Sequence, residues 1–154
     1  MKWNLIEARS LREKSEGNIP SGPGIYKWWV SRKALKLILG ALQVNLKTAE
    51  YDGIEKNEKD WYCVYVGQAE SLEKRVKGNH VNGKGKSTFR KDLDAIVRKI
   101  NGDKKIEQRT NSLIDEFEVE FRSVPWSKLD DDEKKKLGRN IFAFSINNIM
   151  GKMN

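Results

Sequence analysis

One cysteine, one histidine and three prolines are all that 154 residues contain of those types. A lone Cys63 excludes an internal disulfide and any multi-cysteine zinc site. It sits in the run Tyr62-Cys63-Val64, which fits a buried structural thiol. Long hydrophobic runs are missing too. The most apolar stretch, Ala34 to Leu46, is broken by Lys36, Gly40, Gln43 and Asn45. A membrane span needs roughly 18 uninterrupted apolar residues, so none is expected. The opening residues Met1-Lys2-Trp3-Asn4-Leu5 lack the apolar core of a secretory signal. The expectation is a cytoplasmic protein without membrane association. There is no internal repeat and no low-complexity tract.

What the chain does carry is positive charge, unevenly placed. The formal net charge is +8, with an isoelectric point near 9.5. Between Leu72 and Arg109 there are twelve Lys and Arg against five Asp and Glu. The rest of the chain holds eighteen against seventeen, so one segment carries almost the whole excess. Concentrated basicity of this kind points to a polyanionic partner. Hydrophobic residues at 38% are enough to build a core, and the length fits a single domain over 1–154.

Residues 4–14 read as a short helix, with Leu5, Ile6 and Leu11 on one side. Ile19 to Gly24 is a turn by its proline and glycine content. Ile25 to Val30 is aromatic and β-branched and reads as a strand. Leu35, Ile38, Leu39, Leu42 and Leu46 fall at helical spacing, predicting a helix over 34–46. Thr48 to Asp60 reads as a loop, and Trp61 to Val66 as a second strand. A short helix follows over 70–77, then a loop over 79–86 rich in Gly and Lys. Ser87 is a suitable N-cap for a helix to about Ile100, with Phe89, Leu93, Ile96, Val97 and Ile100 on its apolar face. Phe117 to Val124 alternates apolar and charged residues, a strand with one wet face. A last helix starts near Ser127. Three short strands linked by helices predict a small α+β sheet.

Gly24-Ile25-Tyr26 on the first strand and Tyr65-Val66-Gly67 closing the second resemble the paired motifs of the GIY-YIG nucleases. Gln68 to Arg75 is similar to that family's next helix, where an arginine belongs to the active site. His80 falls where members carry a histidine or tyrosine. Ser87 to Lys91 resembles the start of the following helix in a bacterial and phage branch. The resemblance covers roughly residues 19–100 well. It implies a three-stranded antiparallel sheet flanked by helices, with a helical insert at about 32–60 between the first two strands. It also implies DNA as partner, Mg²⁺ (or Mn²⁺) as cofactor, and Tyr26, Tyr65, Arg75 and His80 as catalytic residues.

The chemistry of these side chains suits that implication. Cutting a phosphodiester requires an activated water, neutralisation of the phosphate charge and help for the leaving oxygen. Tyrosine hydroxyls can hold a water or phosphate oxygen, but a free phenol has a pKa near about 10, and a base role needs a cation or metal beside it. Arg75 offers a planar fork for phosphate oxygens. His80 titrates in the range that suits proton transfer near neutrality. Lys84, Lys86, Arg90 and Lys91, around a glycine-rich loop and a helix start, fit contacts to nucleic-acid backbone phosphates. Trp28 and Trp29 point to opposite faces of their strand, so one is expected in the core and the other on the DNA surface.

The family's metal ligand is a glutamate on a late helix, followed by an asparagine. One frame takes Glu133 as ligand with Asn147 or Asn148 as partner. Leu129, Glu133, Leu137 and Ile141 are spaced four apart, which puts this carboxylate on an apolar face. A rival frame anchors on Asn154 and puts Phe142 in the ligand slot, which leaves a nucleic-acid-binding module without catalysis. A third reading makes the apolar 34–46 helix a docking surface for a protein partner.

Overall fold

The computed structural model describes residues 3–13, 19–43, 45, 47, 54–125 and 127. Four strands, β1 (Asn4–Glu7), β2 (Gly24–Val30), β3 (Tyr62–Ala69) and β4 (Glu118–Ser123), form one antiparallel sheet in the order β1-β4-β2-β3. Among the described residues five helices accompany it: α1 (Ala8–Glu13), α2 (Arg32–Ala41), α3 (Glu73–Val81), α4 (Thr88–Asn101) and α5 (Ile106–Ile114). The α+β class and the flanking helices are as expected, with one strand more than the expected three.

The extra strand comes from residues 4–14, read above as one helix. Asn4 to Glu7 instead pair with β4, Ile6 opposite Val119, and only Ala8 to Glu13 wind into a helix. Four residues carry little helix preference of their own, so an available sheet edge decides their conformation. Helix α5 was not expected at all. Its apolar residues are few (Ile106, Leu113 and Ile114), too sparse to set a helical period.

β2 sits between β3 and β4, and six of its seven residues are buried. Covered on both faces, it shows no apolar–polar alternation, and Lys27 is its one charged residue. Cross-strand register puts Tyr26 opposite Gly67 and Phe121, and Trp28 opposite Tyr65 and Val119. Directly opposed residues share a face, so these side chains form one surface. Phe89 of α4 lies on it, its ring stacked on Trp28 at 4.7 Å with Phe117 edge-on. Trp29 occupies the other face, near the Lys27 ammonium, and is only 2% exposed. The expected surface tryptophan is therefore a buried one.

Ser31 starts α2, its hydroxyl accepting the Ala34 N–H at 3.1 Å. The apolar face, Ala34, Leu35, Ile38 and Leu39 with Leu42 beyond it, is buried in the common core. That removes the surface on which a protein-docking reading depended. α4 buries Phe89, Leu93, Ile96 and Val97 as expected, but Ile100 in its last turn is exposed, and Asp92 is buried instead.

Candidate active site

Tyr26 and Tyr65 stand on neighbouring strands with ring centroids 6.5 Å apart, nearly parallel. The last residue of the second tripeptide explains how Tyr26 fits there. A Cβ built on Gly67 would fall inside contact distance of Tyr26 Cζ and Oη, so the phenol lies across the space that a side chain would fill. Gly24 has a similar constraint: its missing Cβ is replaced by the Arg122 carbonyl and the Leu72 side chain. Both glycines of the motif pair serve close packing, and neither needs a positive φ.

α3 supplies the next two groups. It is wound as a π-helix, and the Asn82 N–H donates to the Lys77 carbonyl five residues back at 2.9 Å. On an α-helix, positions five apart lie about 140° apart around the axis. Wider winding brings Arg75 and His80 toward one side, a placement common where a π-turn serves a site. His80 is 2% exposed and reaches into the sheet face, while Arg75 stays exposed at its rim.

His80 is held at both ring nitrogens. Its Nε2 is 2.9 Å from Tyr26 Oη, and its Nδ1 is 2.6 Å from Ser87 Oγ. The rings of Tyr26, Trp28, Tyr65 and Phe89 surround it, all with centroids within 6.2 Å. Burial, reinforced by the Arg75 charge, pushes the His80 pKa down to about 3, so the imidazole is neutral at physiological pH. Burial raises Tyr26 far above an ordinary phenol, with Tyr65 adding to this and Arg75 opposing it. Tyr65 is also raised, by burial and then by the Asp92 charge, again opposed by Arg75. Arg75 thus acts on all three groups. At neutral pH the site presents two protonated phenols, a neutral imidazole and one guanidinium, a set suited to hydrogen-bonding and neutralising an anion.

A cavity of about 650 Å³ adjoins Arg75, lined by Gln68, Ala69, Glu70, Ser71, Lys74 and Asn79 as well. A second, of about 500 Å³, lies at the start of α4, lined in part by Gly83, Gly85, Lys86, Thr88, Lys91 and Asp94. Lys84, Lys86 and Lys91 are exposed around it. Arg90, grouped with them on sequence, has a different place. Its Nη1 donates to the His80 and Val81 carbonyls at 3.2 and 3.1 Å, and its Nη2 to Asn111 Oδ1 at 2.5 Å. That guanidinium ties the end of α3 to α5, and the half-buried Arg90 also lines the second cavity beside Lys86 and Lys91.

Among the described residues no three His, Cys, Asp or Glu gather as a cation site. Asp92 is the buried carboxylate whose charge reaches Tyr65, and burial lifts its own pKa to about 6. Glu133, Asn147 and Asn148 lie outside the described residues, as do Phe142 and the helix expected from Ser127. Two features of the site were missed on sequence: the contact of Ser87 with His80, and the π-winding of α3. Ser87 was legible as a cap only.

A family model described as the GIY-YIG catalytic domain matches residues 24–146. No curated protein and no solved structure matches the chain.

Proposed function

The chain belongs to the GIY-YIG catalytic domain family, and from that premise we propose that it is an endonuclease that hydrolyses DNA phosphodiester bonds with Mg²⁺ (or Mn²⁺). The observation that carries this reading is the convergence of Tyr26, Tyr65 and His80 on one spot, with the Arg75 charge acting on each. In this reading Arg75 meets the phosphate from the rim, where its fork neutralises two oxygens. The two phenols hydrogen-bond the attacking water or a non-bridging oxygen and fix its direction. Both are protonated in the free protein, so they act first as oriented hydroxyls. His80, buried and neutral, orients Tyr26. A bound divalent ion would supply Lewis acidity at the phosphate and lower the pKa of water, with Glu133 as the proposed ligand and Asn147 or Asn148 beside it. Lys84, Lys86 and Lys91 contact backbone phosphates away from the cut.

The test is nicking of supercoiled plasmid by the full chain with Mg²⁺, against EDTA, Arg75→Ala and Glu133→Gln. Cleavage abolished under all three supports the enzyme. No cleavage, together with salt-sensitive retention of DNA, overturns it in favour of a binding module that keeps the fold.

A further inference from the structure

We infer that Asn79 is a positioning residue for nucleic acid: it pins the turn from Gly83 to Lys86 beside the cavity at Arg75, so that a strand whose phosphate meets Arg75 finds Lys84 and Lys86 already placed for further phosphates. This rests on the nucleic-acid substrate of the proposed function and does not need cleavage. Basic, glycine-rich loops are ordinarily mobile, yet this one is held from both sides. On the α3 side, the Lys84 N–H donates to the Gly78 carbonyl at 2.9 Å, and Asn79 Nδ2 donates to the Lys84 carbonyl at 2.5 Å. Two consecutive residues of α3 thus hold both main-chain polar groups of Lys84. On the α4 side, the Arg90 side chain lies where Gly83 would carry a Cβ, with Nε 2.9 Å from that position. Gly83 and Gly85 have φ of +72° and +70°, a region glycine enters without strain, and a Cβ on Gly85 would sit 3.2 Å from Asn79 Nδ2. The turn is wedged between Asn79 and Arg90.

Asn79 lines the cavity beside Arg75, whereas Gly83, Gly85 and Lys86 line the one at the start of α4. The bond from Asn79 to Lys84 therefore joins the walls of the two cavities. Both favour an anion. The first sets Lys74 and Arg75 against Glu70; the second sets Lys86, Arg90 and Lys91 against Asp94, whose carboxylate already accepts the Thr110 hydroxyl at 2.5 Å. Lys84 and Lys86 keep exposed side chains on this held main chain. Because the Lys84 N–H is taken by Gly78, that residue meets phosphate through its ammonium group and not its amide. A lysine on a fixed loop binds without the loop first having to be ordered, and the entropy saved appears as affinity. Contacts of this kind carry no base information, so the strand is held whatever its sequence.

The full chain with a DNA duplex of arbitrary sequence in EDTA reads binding without cleavage. Backbone ¹⁵N order parameters of Gly83, Lys84 and Gly85 should equal those of the helices, about 0.85, in the parent and fall below about 0.6 in Asn79→Ala. Asn79→Ala should weaken binding about tenfold with the salt slope unchanged, since both lysines still reach phosphate but the loop must be ordered first. Gly85→Ala, which strains the turn from the loop side, should do the same. With Lys84 and Lys86 both replaced by alanine, Asn79→Ala should weaken binding no further. Order parameters that Asn79→Ala leaves in place overturn the pin. A mobile turn with unchanged affinity, or an equal loss in the background without the two lysines, overturns the role toward nucleic acid. A parent that binds no DNA overturns that role together with the proposed function. A parent that shows the expected binding pattern but never cuts with Mg²⁺ upholds the role of Asn79 and removes the nuclease reading alone.

Discussion

Tyr26 and Gly67, the last residue of one tripeptide and the last of the other, are cross-strand partners, and the phenol of the first fills the space where the second would carry a side chain. The two motifs are therefore one packing unit. A glycine is required because the tyrosine lies flat across its strand, and the tyrosine reaches His80 because the glycine lets it.

Gly67→Ala should then destabilise the fold by about 1–3 kcal/mol, the usual cost of forcing extra volume into a packed site. Denaturant unfolding measures this directly. In a Tyr26→Ala background the obstacle is gone, so the same substitution should cost markedly less. A double-mutant cycle with no coupling between the two positions would show that the clash is relieved elsewhere.

Arg90 and the nearby lysines should separate by readout. Arg90→Ala removes a guanidinium with three protein acceptors and takes a donor from the His80 and Val81 carbonyls, of which Val81 keeps the longer bond from Arg12. Hydrogen bonds to charged groups contribute about 1.5–3 kcal/mol each, so thermal stability should fall clearly. Lys84→Ala and Lys86→Ala remove exposed charges and should leave the melting temperature in place. If these lysines neutralise phosphates, the salt dependence of DNA binding should become shallower by about 0.9 for each lysine removed. A stable Arg90→Ala protein with a reduced salt slope would return Arg90 to the DNA-binding group.

The contrast shows what could be read from the chain and what could not. β2 and β3 were legible because each is rich in aromatic and β-branched residues and has a glycine at one end of the run, and α2 and α4 because their apolar residues repeat at helical spacing. The tripeptides and their distance to Arg75 pointed to the side chains that the fold brings together around His80. β1 was not legible, since pairing with β4 and not local preference makes those residues extended. Nor were the contacts of Arg90 with the His80 and Val81 carbonyls, because a basic residue after a glycine-rich loop looks the same whatever its guanidinium holds. Trp29 shows a similar limit: alternation gives the face a side chain points to, but not what covers that face. Ser87 was legible as a cap, while its second bond depends on a neighbour seven residues back, brought round by the π-turn.

Cys63 should be inert in the folded protein. Burial pushes its thiol up to about 12, with Glu55 adding to the rise and Lys27 opposing it, so almost no thiolate is present at pH 8. A thiol-specific reagent should label the native chain slowly and the urea-unfolded chain rapidly and completely. Fast labelling of native protein would mean that the thiol, half-buried on its strand, is less desolvated than its raised pKa implies.

His80 and Asp92 should pull acid stability in opposite directions. The folded pKa of His80, about 3, lies below its unfolded value of about 6.5, so the unfolded chain binds more protons between them. Stability from this group is intact above about pH 6.5 and is lost as the pH falls toward 3. Asp92 is raised to about 6 by burial, against Lys91, so the folded chain binds more protons between about pH 4 and 6. Its contribution is intact below about pH 4 and is lost as the pH rises through 6. Each group alone has a slope of up to about 1.4 kcal/mol per pH unit, and between pH 4 and 6 the two oppose each other. Replacing Asp92 with Asn removes the compensating half. Urea midpoints taken from pH 7 to pH 4 should therefore fall more steeply in Asp92→Asn than in the parent. His80→Asn should do the reverse and gain stability over the same range. Parallel curves for the parent and both variants would show that neither group is as desolvated as its burial implies, and would remove the basis for treating His80 as neutral in the folded protein.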